Sequence, residues 1–238
     1  DKKISIKGEN IEILKKLKNE KNPLSSLKKL LKESLTIKNS SLPPCPVLVG
    51  YFGYPMIQYM EKIKLTNLDT INIPDAKFIR PKIIAVFDNI KDNIILMTPV
   101  YYSKNINPKK AYKNANIELN KSIKALNSNL FKVKKNVYKK TLNIKSNFTK
   151  KQYINTVKKT KKYIKMGDIF QAVISQRFEM DYKLDAISLY RSLRRLNPSP
   201  FLVNLNFDNM GLVASSPEIL VRLRNNKITI RPIAGTRH

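Results

Sequence analysis

The segment Arg231-Pro232-Ile233-Ala234-Gly235-Thr236-Arg237 sets a glycine beside a hydroxyl and a guanidinium. Glycine lets backbone approach a ligand closely. Threonine offers a hydroxyl next to its own N–H, and arginine pairs with a carboxylate through two donors. Those three residue types in a row make a compact anion-binding corner. Eight of the nine arginines fall between Arg177 and Arg237. Arginine supplies a bidentate geometry that lysine lacks, so this end of the chain is where specific chemistry is expected. The corner lies at the last residues of the sequence, and the chain is expected to be part of a longer protein.

Several function classes follow or fall away from composition. With 238 residues and 42% hydrophobic content, the chain can bury a sizeable core. No apolar run approaches the roughly 18 residues of a membrane span. The start, Asp1-Lys2-Lys3-Ile4, has no apolar signal region and no initiator methionine, and is expected to be a truncated N-terminus. Cys45 is the single cysteine, which rules out a disulfide framework and points to a cytoplasmic setting. A formal charge of +29 invites a nucleic-acid reading. Yet 37 of the 46 basic residues are lysines spread along the chain, together with abundant Asn and Ile. That is the pattern of an AT-rich coding bias and makes no basic stripe. A nucleic-acid partner is therefore not expected, and a basic binding module is kept only as the competing class.

The elements that must position the corner read as α+β. In the first half a strand is expected around Ile4–Ile13, then a helix near Pro23–Leu35. Asn22 is its N-cap, Pro23 its first residue, and Leu24, Leu27, Leu31 and Leu35 its inner stripe. An apolar strand follows over Val47–Phe52. A hairpin comes next, Ile83–Phe87 and Ile94–Val100 across Asp88–Asn93. A second helix carries Ala111, Ala115, Leu119, Ile123, Leu126 and Leu130 on a core-facing side. Lys132–Asn147 is lysine-rich and weakly periodic, a surface connector.

In the second half, Thr149-x-x-Gln152 is a capping box opening a helix that ends at Gly167. Tyr153, Val157, Thr160 and Ile164 follow at helical spacing. Ile169–Phe178 reads as a strand. Asp185 caps another helix, with Ala186, Leu189, Tyr190 and Leu193 inward, and Asn197-Pro198 stops it. Leu205–Ala214 holds a hairpin around Asp208-Asn209. Ile219–Leu223 and Ile228–Ile230 flank the two-residue turn Asn225-Asn226. Mostly antiparallel sheets, packed as a sandwich with helices outside, are the expected architecture. The expected parts are an N-terminal region over 1–131, a connector over 132–148 and the start of a binding domain over 149–238.

Four segments of the second half occur in order: Gly167-Asp168-Ile169-Phe170-Gln171-Ala172-Val173, Asn197-Pro198-Ser199-Pro200-Phe201, Ser215-Ser216-Pro217-Glu218 and Arg231–Arg237. Each alone has a plain account as a turn, a helix stop or a cap. Together they resemble the chorismate-utilising enzymes, in particular the large subunits called anthranilate synthase component I. Gly50-Tyr51-Phe52-Gly53-Tyr54, Pro74-Asp75-Ala76 and the stretch from Arg80-Pro81 to Thr98-Pro99-Val100 resemble the middle of those subunits. The resemblance covers nearly the whole chain, as a piece cut at both ends and incomplete in fold.

The resemblance implies an enzyme that converts chorismate and ammonia to anthranilate and pyruvate, the first step of tryptophan biosynthesis. Ammonia would come from glutamine through an amidotransferase partner subunit. Gly235 and Thr236 would contact chorismate, a dicarboxylate that needs backbone and hydroxyl donors. Arg237 adjoins them, and an ordinary surface ion pair is the more expected role for it. Glu218 matches the acidic residue near the hydroxyl that leaves the ring. That departure needs a proton, so this carboxyl must stay protonated through burial or a nearby negative charge. Its plain alternative is a turn cap.

Pro200, Phe201 and Leu202 match the segment that helps hold the feedback inhibitor tryptophan. Phe201 and Leu202 depart from the Tyr-Met pair of some members. Apolar contact with an indole survives that change and a phenolic hydrogen bond does not. Leu30-Leu31-Lys32-Glu33-Ser34 is close to the Leu-Leu-Glu-Ser inhibitor motif, but Lys32 interrupts it and its setting is helical. The true motif is expected upstream of Asp1.

Ala234 decides between relatives. Aminodeoxychorismate (para-aminobenzoate) synthase component I often has a lysine there, so Ala234 favours anthranilate. The resemblance also implies Mg²⁺, held by glutamates and a histidine well past Gly235-Thr236. His238 is the only histidine and no acidic cluster is visible. No metal ligand can be assigned here, and these residues alone are expected to be inactive.

Overall fold

The computed structural model describes residues 2–7, 10–13, 22–33, 42–43, 45, 48–100, 107–129, 143–207 and 209–233. The chain separates into two compact units, Asp1–Phe131 and Lys132–His238.

The first unit is built on a four-stranded antiparallel sheet. Its strands are β1 (Lys2–Lys7), β2 (Asn10–Ile13), β3 (Val49–Phe52) and β4 (Ala76–Arg80), in the order β2-β1-β4-β3. The single strand expected over Ile4–Ile13 is two strands, paired from Ile4↔Ile13 to Lys7↔Asn10.

The central strand β4 was not expected at all. It places Ala76 and Phe78 into the core with its alternate residues, at 0% and 8% exposure. Helix α1 (Pro23–Glu33) lays Leu27 and Leu30 against Met56, Ala76 and Phe78. Asn22 caps it, its Oδ1 accepting the Leu24 N–H at 2.9 Å. The inner stripe differs from the expected one: Leu30 is buried and Leu31 is exposed, while Leu35 lies outside the described residues. A one-residue error turns the stripe by about 100° on a helix of 3.6 residues per turn. Pro55 opens a short 3₁₀ helix, Tyr54–Tyr59, that delivers Met56 to the core at 1% exposure.

The expected hairpin is present as β5 (Ile84–Asp88) and β6 (Asn93–Met97). Asp88 Oδ1 accepts the N–H groups of Ile90 and Lys91 at 3.0 and 3.1 Å, and Asp92 takes a positive φ of 49°. Helix α2 (Pro108–Leu126) is capped by Asn107, whose Oδ1 accepts from Lys109 and Lys110. Its expected core face is only half-buried at Ala111, Ala115 and Leu119, and is exposed at Ile123 and Leu126. A stripe is buried only as far as another layer covers it, and the described residues cover one end.

The second unit starts with β7 (Lys145–Ser146), inside the segment expected to be a plain connector; residues 130–142 lie outside the described residues. Helix α3 (Lys150–Met166) carries both halves of its capping box. Thr149 N–H donates to Gln152 Oε1 at 2.8 Å, and Gln152 N–H to Thr149 Oγ1 at 3.2 Å. Gly167 ends the helix at φ 81°, a left-handed turn suited to glycine. The strand expected over Ile169–Phe178 is absent apart from β8 (Phe178–Glu179), which pairs with β7. The run is apolar, but a strand also needs a neighbour to satisfy its backbone. Among the described residues only its end has a neighbouring strand, and there Asn147 exchanges hydrogen bonds with the Arg177 backbone at 2.8 and 3.1 Å.

Helix α4 (Ala186–Leu196) packs on a long hairpin of β9 (Phe201–Phe207) and β10 (Met210–Ser216). A methyl group on Gly211 would come within 2.7 Å of the Ala186 Cβ. Glycine there lets the first turn of α4 lie close on β10. Phe207 is the buried anchor, at 1% exposure. The last hairpin is β11 (Arg222–Arg224) and β12 (Lys227–Thr229). Asn225 and Asn226 both take positive φ, 50° and 60°, the twist a two-residue hairpin turn requires. Every strand pair among the described residues is antiparallel, and the architecture is α+β as expected.

Candidate functional site

The register of β9 and β10 brings two of the predicted segments together. Phe201 lies opposite Ser216, and Leu202 opposite Ser215. The Pro200-Phe201-Leu202 segment therefore sits directly across the ladder from the residues that lead into Glu218. Three serines fasten this end of the hairpin. Ser199 Oγ donates to the Ser216 carbonyl at 2.9 Å. Ser215 Oγ lies 2.8 Å from the Asn197 carbonyl and 3.0 Å from Ser199 Oγ. A hydroxyl has one proton. Ser199 spends its proton on Ser216, and Ser215 serves Asn197 or Ser199 in turn.

Ser216 then closes a local turn around Pro217. Its Oγ lies 3.1 Å from the Glu218 carbonyl and 3.4 Å from the Glu218 N–H. Serine does this readily because its hydroxyl reaches backbone two residues on. Pro217 brings no N–H of its own.

Glu218 reaches forward. Its Oε1 accepts the Ile233 N–H at 3.2 Å, fifteen residues downstream. Two motifs separate in sequence thus meet: the Ser-Pro-Glu corner and the segment entering Ala234-Gly235-Thr236. Gly235 and Thr236 lie outside the described residues, as do Ala234, Arg237 and His238. Glu218 is exposed, so the described residues do not supply the burial expected around a proton-carrying carboxyl. Phe201 is 41% exposed and Leu202 half-buried, both with apolar surface still to cover.

Sequence reasoning missed the serine fastening. Its signal was available in part, since Ser199, Ser215 and Ser216 all sit in the quoted motifs, but their meeting depends on the β9–β10 register. It also missed a groove at the opposite, turn end of the same hairpin. That cavity of about 480 Å³ is lined by Asp185, Asn204, Asn206, Asn209 and their neighbours and holds none of the predicted site residues. Asn204 Oδ1 is buried there with no hydrogen-bond partner among the described residues. For Mg²⁺ the residues do not fit: among the described residues no three His, Cys, Asp or Glu side chains form a group that could hold a metal. Nor does any helix among them have the length and apolarity to cross a membrane.

The sequence matches the chorismate binding enzyme family over residues 2–238. The chain belongs to that family. Among curated members, it is 40% identical over 220 residues to anthranilate synthase component 1 of Cereibacter sphaeroides, covering 92% of this chain and 44% of that protein. It is 36% identical over 218 residues to anthranilate synthase component 1 of Aquifex aeolicus, covering 91% of this chain and 44% of that protein. The fold agrees with the crystal structure of anthranilate synthase component I from Streptococcus pneumoniae TIGR4. The TM-score is 0.80 at 26% identity, over 95% of this chain and 50% of that one. This chorismate binding enzyme chain thus spans less than half the length of those curated relatives.

Proposed function

We propose that the chain forms the inhibitor-facing and acid-bearing part of an anthranilate synthase large subunit. The complete protein would convert chorismate and ammonia to anthranilate and pyruvate in the cytoplasm, opening tryptophan biosynthesis. One observation carries this reading most directly: the Glu218–Ile233 hydrogen bond. It draws a carboxyl to the entrance of Gly235-Thr236, the pair expected to contact the substrate.

In the proposed reaction ammonia adds to the chorismate ring as the ring hydroxyl leaves. The hydroxyl takes a proton and departs as water, and Glu218 is the donor within this chain. A bound dicarboxylate brings two negative charges to the corner, and like charges disfavour an ionised carboxyl beside them. The substrate would then supply what burial does not. Loss of the enolpyruvyl group as pyruvate makes the ring aromatic. Gly235 and Thr236 would offer backbone and hydroxyl donors to a substrate carboxylate. Pro200, Phe201 and Leu202 would present apolar surface to the indole of tryptophan, across the ladder from Ser215 and Ser216. A glutamine amidotransferase subunit would supply ammonia. Mg²⁺ belongs to the complete protein in this reading. The described residues offer no ligand set for it.

The complete protein, given chorismate, an ammonium salt and Mg²⁺, is expected to release fluorescent anthranilate and pyruvate in equal amounts. A product that keeps the enolpyruvyl group, with no pyruvate released, would replace this reading with aminodeoxychorismate synthesis. Sequence-selective retention of nucleic acid without either product would replace it with a binding module.

A further inference from the structure

We propose that Ser199 is a positioning residue for Glu218. The inference rests on the reading of Glu218 as the proton donor. Its grounds are geometric. The Ser199 hydroxyl holds the carbonyl of Ser216 at 2.9 Å. That carbonyl belongs to the Ser216–Pro217 peptide, a planar unit, so holding the oxygen fixes the plane. Proline next fixes its own φ near −65°. One backbone torsion then remains before Glu218, the ψ of Pro217. The Ser216 side chain closes it, with Oγ 3.1 Å from the Glu218 carbonyl and 3.4 Å from its N–H. From the Ser199 hydroxyl to the Glu218 Cα there is no unrestrained backbone torsion. The remaining freedom is in the side chain, and the Ile233 N–H restrains that at 3.2 Å.

Ser199 is itself held. It lies 3.0 Å from Ser215 Oγ, which also reaches the Asn197 carbonyl at 2.8 Å. Ser199 is half-buried and lies in the connection between the end of α4 and the start of β9. It therefore anchors the Ser-Pro-Glu corner to the helix-to-strand connection rather than to the substrate. A serine serving only as a helix stop would not need its hydroxyl. This one spends its single proton on the peptide that aims Glu218.

The test uses the complete protein and four variants: Ser199→Ala, Ser199→Thr, Glu218→Gln and the double Ser199→Ala/Glu218→Gln. Ser199→Ala is expected to lower kcat about tenfold, with KM for chorismate within about twofold, as one hydrogen bond to the aimed peptide is lost. Ser199→Thr, which keeps the hydroxyl, should recover most of that loss. The double variant should be no slower than Glu218→Gln alone, because there is no longer an acid to aim. If Ser199→Ala gives no soluble protein, the same effect is read on Ser199→Cys, which keeps the volume and weakens the donor. Wild-type kcat in Ser199→Ala beside a slow Glu218→Gln would overturn the inference and leave the Glu218 reading standing. Further loss in the double variant would assign Ser199 a general structural role and overturn it too. Full turnover in Glu218→Gln would remove the Glu218 reading, and this inference with it.

Discussion

The Glu218 carboxylate and the Ile233 backbone N–H meet at 3.2 Å across a span of fifteen residues. Between them runs the β11–β12 hairpin, whose Asn225-Asn226 turn reverses the chain and returns it. The hairpin therefore brings Ile233, which leads into the segment expected to bind an anion, back to the carboxyl. The pairing also separates what Glu218 does as a structural acceptor from what it would do as an acid.

Glu218→Gln exploits that separation. Glutamine keeps an oxygen that can accept the Ile233 N–H, but its amide cannot donate a proton to a leaving hydroxyl as a carboxylic acid does. The corner should stay folded while the chemistry is lost. In the complete protein, kcat for anthranilate formation is expected to fall by about 10²- to 10⁴-fold, with KM for chorismate changed only a few-fold. Steady-state anthranilate fluorescence checks both. A normal kcat would take the proton-donor role away from Glu218.

Phe201 gives a prediction about inhibition. It sits opposite Ser216 in the ladder and leaves 41% of its surface exposed. Phe201→Ala removes an aromatic face that an indole would cover. The tryptophan concentration for half-inhibition should rise about fivefold or more, in line with an aromatic pair worth about 1 kcal/mol beyond area burial. Phe201→Tyr should instead hold or tighten it by offering a hydroxyl. Inhibition curves for the complete protein read this directly, and an unmoved curve in Phe201→Ala would place the inhibitor elsewhere.

Parts of this arrangement were legible in the sequence because they are local. Thr149 and Gln152 announce the start of α3 and Gly167 its end, and all three do what their chemistry says. Asn225 and Asn226 announce a tight hairpin in the same way. The misses share another cause. β4 alternates Ala76 and Phe78 inward, yet it becomes a central strand only because β1 and β3 flank it. Ile169–Phe178 has strand-like composition and lacks a ladder along most of its length. Leu30 replaces Leu31 in the core because helix phase is set by what the helix packs on. The Ser199–Ser216 bond spans seventeen residues and exists only in one β9–β10 register. Local chemistry could be read; partnership across the fold could not. Gly235 and Thr236 lie outside the described residues.

Gly50 tests the packing of the first unit. It lies opposite Phe78 in the β3–β4 ladder. A Cβ built there would fall on the carbonyl oxygen of Lys77 and within 2.7 Å of the Phe78 Cα and Cδ1. Backbone of a central strand cannot yield as a flexible side chain can. Gly50→Ala is expected to cost about 3 kcal/mol or more, at the upper end of overpacking effects. Urea unfolding should show a lower midpoint with an unchanged slope. A midpoint at the wild-type value would mean that β3 and β4 do not pair in this register.

Asp185 yields a prediction with a sign in pH. Its Oδ1 accepts the Ser188 N–H at 2.9 Å, capping the helix that lies on Gly211. Ser188 donation, and secondarily the charge of Arg191, holds the Asp185 carboxyl below the usual aspartate range. A carboxyl depressed on folding stabilises the folded state above its unfolded value of about 4. That contribution fades as pH falls through the lower, folded value. Asp185→Ala should therefore lower the thermal midpoint at neutral pH and narrow its gap to wild type in acid. Asp185→Asn should cap nearly as well at neutral pH and lose the acid-dependent part. Thermal unfolding of the three proteins at neutral pH and below pH 4 separates a charged cap from a neutral one. Equal midpoints for wild type and Asp185→Ala at neutral pH would show that the α4 cap adds nothing to stability.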